Sequence, residues 1–189
     1  MSGSSKPVPP RPGRGALGAR LSEILRVDHA GELAAVHIYR GQQAVFSGGA
    51  ATGPAAALMA EMGAQEADHL KAFEGLLAEH GVRPSLLSPL WRTAGFALGA
   101  ATALIGEKAA HACTEAVETV IEAHYAGQIA EIGAREPELA RTLAKYRDDE
   151  LAHRDQAVAE GAHEAPGYAL LSAAIRLGCQ AAIKVAEKV

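Results

Sequence analysis

A chain of 189 residues, of which 49% are hydrophobic and 21% are charged, is long enough to bury a core as one globular domain. This composition excludes a disordered or collagen-like chain. The formal net charge of −4 argues against a protein that binds nucleic acid. Cys113 and Cys179 are too few for a disulfide framework or a cysteine-based zinc site, and their apolar neighbours suit reduced thiols.

The first 21 residues differ in charge from the rest of the chain. Residues 1–21 hold four basic side chains and no acidic one, which leaves 14 basic against 22 acidic residues in the remainder. The segment lacks the apolar stretch of a secretory signal, and its proline and glycine content disfavours a helix. We expect a flexible basic tail over 1–21, either solvated or held near an anionic membrane surface, and one domain over 22–189.

The chain after residue 21 predicts an all-α fold. It is rich in Ala, Leu and Glu, lacks the alternating pattern of strands, and is interrupted at Gly and Pro. The six predicted helices span residues 22–46, 54–80, 86–106, 107–134, 138–160 and 167–189. The third and sixth are apolar, but the uncharged run at 93–106 is only 14 residues long, short of the roughly 20 that a transmembrane helix needs.

The order of two long helices followed by an apolar one occurs twice, which indicates an internal duplication. Four residues of the first helix recur in the fourth at a constant offset of 86 positions. The matched residues are Glu32, Tyr39, Gly41 and Gln42 in the first half and Glu118, Tyr125, Gly127 and Gln128 in the second. We therefore expect the two halves to contribute equivalent side chains to one site.

Each half also contains one Glu-x-x-His motif, on its second helix. Residues i and i+3 share a helical face, so the carboxylate and the imidazole of each motif can reach the same metal ion. One Glu from each of two helices, with Glu-x-x-His from each of two others, is the ligand set of ferritin-like di-iron and di-manganese bundles. The six predicted ligands are Glu32, Glu66, His69, Glu118, Glu150 and His153. These residue types accept iron and manganese alike.

Other residues compete for a place in this site. A third Glu-x-x-His, from Glu160 to His163, has no partner glutamate in the repeat and is interpreted as a frayed helix end. Glu115 and Glu122 flank Glu118, but only Glu118 lies in the repeat register.

Four side chains near the predicted ligands are candidates for supporting roles. Tyr39 and Tyr125 follow their glutamates by seven residues, so either they relay protons or electrons or they simply pack. His124 either donates a hydrogen bond towards the site or faces solvent. Asp149 precedes Glu150 and is a candidate to orient a ligand imidazole. The sequence contains no recognisable nucleotide-binding motif, so any electrons come from an external reductant.

Several stretches resemble the demethoxyubiquinone hydroxylases of ubiquinone biosynthesis. The matching stretches are residues 26–32 (Arg-Val-Asp-His-Ala-Gly-Glu), 65–69 (Gln-Glu-Ala-Asp-His), 116–118 (Ala-Val-Glu), 124–125 (His-Tyr) and 149–153 (Asp-Glu-Leu-Ala-His). The Asp-His-x-Gly-Glu run is the most specific of them, whereas Glu-x-x-His motifs are shared by all ferritin-like enzymes.

This resemblance implies a ferritin-like four-helix bundle with two additional apolar helices, which binds two iron ions per chain. It implies a monooxygenase that inserts one oxygen atom of dioxygen into the ring of a polyprenylated demethoxyubiquinol. It also implies reduction by a pyridine nucleotide such as NADH, and a lipid-binding partner protein of ubiquinone biosynthesis. The alternative is an iron-oxidising or iron-storing protein of the ferritin kind, which usually has polar outer faces.

The two apolar helices then acquire a predicted role at a membrane. We expect residues 86–106 and 167–183 to lie in the membrane interface and to open a channel for the polyprenyl tail, with Trp91 and Arg92 near the headgroups. Packing on the bundle or a homo-oligomer interface would explain the same residues. In a bacterium, the protein would be peripheral on the cytoplasmic face of the inner membrane.

Overall fold

The computed structural model of the chain describes residues 15–48 and 53–189, and it contains no strand within these ranges. The six α-helices are α1 (Gly15–Gly48), α2 (Pro54–His80), α3 (Ser88–Ile105), α4 (Glu107–Ile132), α5 (Pro137–Ala159) and α6 (Tyr168–Ala186). A 3-10 turn, Ala162–Glu164, connects α5 to α6. Over these described ranges, the predicted all-α fold with six helices is therefore confirmed.

Four of these helices form a ferritin-like bundle, and the other two lie outside it. In each half the two long helices pack together, α1 with α2 and α4 with α5. The apolar helix that follows each pair then packs back on the first helix of its own half, α3 on α1 and α6 on α4. The two halves thus share one plan, as the repeat predicts.

The first helix begins earlier than predicted, at Gly15 instead of Ser22. Two contacts explain the additional turns: Leu21 is buried in the core, and the guanidinium of Arg20 donates two hydrogen bonds, at 2.8 and 2.7 Å, to Glu131 of α4. Residues 15–21 of the predicted tail are therefore helical, and residues 1–14 lie outside the described ranges. Both ends of each of the other helices lie within three residues of the predicted positions.

The connection from α5 to α6 corrects the interpretation of the third Glu-x-x-His motif. Helix α5 ends at Ala159, and Gly161 has φ +89°, a conformation that glycine adopts without strain. The motif does not form a frayed helix end, because His163 lies in an ordered 3-10 turn with its ring centroid 4.8 Å from that of Tyr168. Glu160 and His163 therefore do not share a helical face.

Helix α3 approaches α1 closely because glycines occupy the contact. A Cβ atom at Gly95 would lie 2.5 Å from the carbonyl oxygen of Ala34, and one at Gly99 would collide with the carbonyl of Ile38. Gly41 of α1 meets the backbone of Phe96 in the same way. Small residues four apart let two helix backbones approach each other, as in Gly-x-x-x-Gly packing.

Helix α6 is attached to α4 by a buried carboxylate. Glu115 accepts hydrogen bonds from Arg176 at 2.6 Å, from Tyr168 at 3.2 Å and from Ser172 at 3.4 Å. Glu115 thus serves the α4–α6 contact, in agreement with its exclusion from the predicted ligands.

The outward faces of α3 and α6 are apolar. Apart from Val158, the exposed large hydrophobic side chains of the described residues lie on these two helices or just before α3; they are Leu86, Leu90, Phe96, Leu104, Ile105, Leu170, Leu177 and Val185. By length and composition, α6 alone among the described helices could cross a membrane. Trp91 is buried against Val27 and Ala186, with its Nε1 3.2 Å from Ser85 Oγ, whereas Arg92 is exposed. Their position near the headgroups stays a prediction.

Candidate metal centre

The six predicted ligands meet inside the four-helix bundle. One glutamate comes from α1, one from α4, and the two Glu-x-x-His motifs come from α2 and α5. All six side chains are buried, and the most exposed of them, His153, is 4% exposed. The residues brought together are Glu32, Glu66, His69, Glu118, Glu150 and His153.

Their donor atoms form two overlapping groups. One group consists of Glu32, Glu66, His69 and Glu150, and the other of Glu66, Glu118, Glu150 and His153. Within each group, one donor atom per residue lies within 4.8 Å of all the others. Because Glu66 and Glu150 belong to both groups, their carboxylates are placed to bridge two metal positions.

This donor set fits a pair of divalent ions. Both carboxylate oxygens of Glu66 and of Glu150, and the Nδ1 atoms of His69 and His153, are buried without a hydrogen-bond partner among the described residues. Burying such groups without compensation costs several kcal/mol. Four carboxylates and two neutral imidazoles carry four negative charges, which two divalent cations balance. The residues present can therefore hold a dinuclear metal centre.

Burial and mutual repulsion make the cluster retain protons when no metal is bound. Burial, and then the charge of Glu150, raises the pKa of Glu66 and of Glu118 well above the ordinary range. Burial lowers the pKa of His69, but the carboxylates of Glu150 and Glu32, which lie 3.3 and 3.7 Å from its Nδ1, outweigh this effect and raise the pKa to about 10. A cation entering the cluster replaces these protons.

Each imidazole is held by a residue from the opposite half of the chain. His69 Nε2 lies 3.1 Å from Asp149 Oδ2, and His153 Nε2 lies 2.9 Å from Gln65 Oε1. A carboxylate and an amide oxygen only accept, so both Nε2 atoms carry hydrogen and both Nδ1 atoms face the carboxylates. The structure confirms the predicted contact of Asp149, whereas Gln65 was not predicted. The sequence did contain a signal for Gln65: it directly precedes Glu66, in the same way that Asp149 directly precedes Glu150 in the second motif.

The two tyrosines also cross between halves. Tyr39 donates a hydrogen bond to Glu118 Oε1 at 2.9 Å, and Tyr125 donates one to Glu32 Oε1. Burial, and then the neighbouring carboxylates, raises the pKa of both hydroxyls well above 10. Both tyrosines therefore remain protonated donors beside the predicted ligands.

His124 lies at the edge of a buried polar group next to the cluster. Gln128 Nε2 donates to Asp28 Oδ1 at 2.7 Å and lies 2.9 Å from His124 Nε2, which is itself 3.4 Å from Asp28 Oδ1. Asp28 is one turn before Glu32, and burial raises its pKa. His124 is 21% exposed, so this polar group connects the neighbourhood of Glu32 with the surface. Sequence reasoning gave no role to Asp28 or Gln128.

An apolar cavity of about 90 Å³ adjoins the site between α1, α4 and the outer helices. Gly31 and Val117, which directly precede Glu32 and Glu118, line it. Trp91 of α3 and Ile183 of α6 contribute to its outer wall. The cavity and the carboxylates therefore occupy adjoining faces of the same two helices.

Comparison with known proteins identifies the family. Residues 19–186 match the family described as Ubiquinone biosynthesis protein COQ7. A Rhodospirillum rubrum relative named 3-demethoxyubiquinol 3-hydroxylase is 47% identical, covering 94% of this chain and 82% of the relative. The Homo sapiens relative, named NADPH-dependent 3-demethoxyubiquinone 3-hydroxylase, mitochondrial, is 45% identical (90% and 78% covered). The Saccharomyces cerevisiae relative, named 5-demethoxyubiquinone hydroxylase, mitochondrial, is 40% identical (92% and 80% covered). With all six clustered residues inside the matched range, this chain belongs to the COQ7 family of ubiquinone biosynthesis proteins.

Proposed function

We propose that this chain is a di-iron monooxygenase that hydroxylates the ring of a polyprenylated demethoxyubiquinol. The main observation behind this proposal is the pair of overlapping groups of buried carboxylates and imidazoles. The relatives named as demethoxyubiquinol or demethoxyubiquinone hydroxylases support the substrate class. The reaction converts a ring C–H bond into C–OH, consumes one dioxygen, two electrons and two protons, and releases one water.

The six clustered residues would hold two iron ions per chain. Bound iron supplies the electron transfer to dioxygen that amino-acid side chains cannot provide. The protein fixes the donors: Asp149 and Gln65 orient the two ligand imidazoles, and the helices around them exclude water from the reacting atoms. Glu66 and Glu150, which belong to both groups, would contribute to both positions.

Tyr39, Tyr125 and His124 are proposed to handle protons. Each tyrosine hydroxyl is hydrogen-bonded to a clustered carboxylate, and in a relay it would give up its own proton as it takes another, so that it stays neutral. His124 is partly exposed and lies beside Asp28, so it is the proposed point at which protons exchange with solvent.

The quinol ring is proposed to reach the site from the apolar cavity. Gly31 and Ala35 leave space on α1 beside Glu32, and the walls formed by α3 and α6 are apolar, as a polyprenyl tail requires. An external reductant delivers two electrons, and we propose a pyridine nucleotide, for which the chain has no recognisable binding motif.

The exposed apolar faces of α3 and α6 are proposed to lie in the membrane interface, where the tail of the substrate resides. In a bacterium, we propose that the protein is peripheral on the cytoplasmic face of the inner membrane. A lipid-binding partner protein or a second copy of the chain would occupy part of the same apolar surface.

Dioxygen-dependent turnover tests the function directly. The metal-free protein is loaded with ferrous iron under anaerobic conditions, reduced, and mixed with a demethoxyquinol and dioxygen, and the hydroxylated product is measured by mass spectrometry. Glu118→Ala removes a clustered carboxylate and should abolish product and lower iron content. Glu122→Ala, on the same helix but outside both groups, is the matched control and should retain both.

Two results would contradict the proposal. Product formation by Glu118→Ala at the parent rate would remove Glu118 from the site. Two irons bound per chain without product, under conditions in which a known relative turns over, would favour the alternative of iron oxidation or storage.

A further inference from the structure

The two halves of the metal centre are equivalent in position but different in chemistry. Each ligand imidazole is held by the residue that directly precedes the glutamate of the opposite Glu-x-x-His motif. For His69 that residue is Asp149, at 3.1 Å, and for His153 it is Gln65, at 2.9 Å. The same place in the repeat is thus a carboxylate on one side and a neutral amide on the other.

This difference acts directly on the ligand atoms. Both imidazoles donate from Nε2 and present Nδ1 to the carboxylates, so their geometry towards a metal ion is alike. A hydrogen bond to an anion draws the proton further from the ring than one to an amide oxygen, which makes Nδ1 a stronger donor. His69 therefore offers the better nitrogen ligand.

A second position in the repeat repeats the asymmetry. One turn before Glu32 on α1 lies Asp28, and one turn before Glu118 on α4 lies Thr114; both are buried, with 3% and 1% exposure. The first half thus again has an acidic side chain where the second half has a neutral one, although the carboxylate of Asp28 contacts Gln128 and His124 and none of the clustered residues.

We propose that the two metal positions are inequivalent: the position bounded by Glu32 and His69 binds a divalent ion first, because Asp149 holds His69 whereas Gln65 holds His153. The proposal rests on the proposed dinuclear centre. Changes to residues that orient metal ligands commonly alter metal affinity about 10- to 100-fold. The two binding steps should therefore differ by at least about tenfold.

Titration of the full-length, metal-free protein with Mn²⁺ measures both steps without turnover. Calorimetry gives the two affinities. Electron paramagnetic resonance distinguishes an isolated bound Mn²⁺ after one equivalent from a coupled pair after two. Glu32→Gln should weaken the tight step, and Glu118→Gln the weak one.

Variants that keep the side-chain shape and change its charge test the cause. Asp149→Asn keeps the shape and removes the charge, and it should weaken the tight step about tenfold. Gln65→Glu should strengthen the weak step, and the double variant should reverse the order of filling. Asp148→Asn removes an exposed acid from the same helix and should change neither step. Circular dichroism of each metal-free variant verifies that it is folded.

The outcomes separate this inference from the proposed function. Absence of Mn²⁺ binding would overturn the dinuclear centre itself. Two equal steps, or one cooperative step, in the parent would overturn the inequivalence and leave the dinuclear centre intact. Two unequal steps that Asp149→Asn leaves unchanged, or that Asp148→Asn changes equally, would overturn the role given to Asp149.

Discussion

At the level of single residues, the hydroxyls of Tyr39 and Tyr125 each satisfy one ligand carboxylate of the opposite half. Removing the donor of a buried carboxylate lowers the free energy of unfolding of the protein by about 1–3 kcal/mol. The two tyrosines are thus structural partners of the clustered carboxylates, and the proposed proton relay uses the same two hydroxyls.

Replacing either hydroxyl should reduce turnover much more than it reduces metal binding. We expect Tyr39→Phe and Tyr125→Phe to keep both metal equivalents and to lose about 100-fold in turnover, the lower end of the effect of a positioned proton donor. Iron content and product formation are measured on the same samples.

Tyr146→Phe is the control for this experiment, because Tyr146 packs on His69 at 4.1 Å between ring centroids but makes no hydrogen bond among the described residues. If all three variants retain parental turnover, Tyr39 and Tyr125 contribute packing alone.

The two cysteines should be unreactive in the native chain. Burial raises the pKa of Cys113 to about 12 and that of Cys179 to about 11, so almost no thiolate is present at neutral pH. We expect iodoacetamide to label neither residue in the folded protein at pH 8, and both after unfolding in urea. Mass spectrometry counts the labels. Rapid labelling of Cys179 in the native protein would show that a reagent reaches this thiol through the cavity that it lines.

Sequence reasoning located the six clustered residues but not the partners that hold them. The i, i+3 spacing and the repeat register assign Glu66, His69 and their counterparts to one helical face, and those assignments need only local geometry. Which helix lies opposite depends on tertiary packing. The bond from Tyr39 to Glu118, 79 residues away, could therefore not be derived from the register.

At the level of helices, the outer layer is built on two different contacts. Helix α3 packs on α1 through glycines, whereas α6 is held on α4 by the buried hydrogen bonds of Glu115. Sequence reasoning recognised both helices as apolar. It missed these attachments, because an isolated glycine or glutamate does not reveal the backbone or the guanidinium that it faces.

The α1–α3 contact should not tolerate even one additional methyl group. In Gly95→Ala the new Cβ would lie 2.5 Å from Ala34 O, and the strain should lower the free energy of unfolding by about 1–3 kcal/mol. In Gly178→Ala, on α6, nothing lies within 4 Å, and removing a helical glycine should raise stability by up to about 1 kcal/mol. Urea unfolding followed by circular dichroism compares the two, and equal changes of the same sign would contradict the close packing of α3.

At the level of the whole molecule, a polar cluster inside the bundle lies next to two outer helices whose exposed faces are apolar. The acidic cluster is enclosed by α1, α2, α4 and α5, and α3 and α6 cover the side of α1 and α4 that holds the cavity, which is lined by the residues directly before Glu32 and Glu118. Their inner faces pack on the bundle and their outer faces expose leucines. A substrate with a polar ring and a long apolar tail matches both environments at once.

This arrangement predicts that the exposed face binds lipid. Leu170 and Leu177 are 79% and 66% exposed on α6, so Leu170→Glu with Leu177→Glu should leave the fold intact. Each leucine that enters an apolar interface contributes about 1.5 kcal/mol or more, and its replacement by a charge should reduce partition into liposomes at least tenfold. Flotation with phosphatidylcholine vesicles measures the bound fraction.

Val158→Glu, which alters an exposed apolar residue of α5, is the control for flotation and should bind as the parent does. If the parent chain stays in the unbound fraction even at low salt, the interfacial position of α3 and α6 is wrong. Size-exclusion chromatography then decides between the remaining occupants of this face. A parental dimer that the α6 variant splits into monomers would identify the exposed leucines as a contact between two copies of the chain.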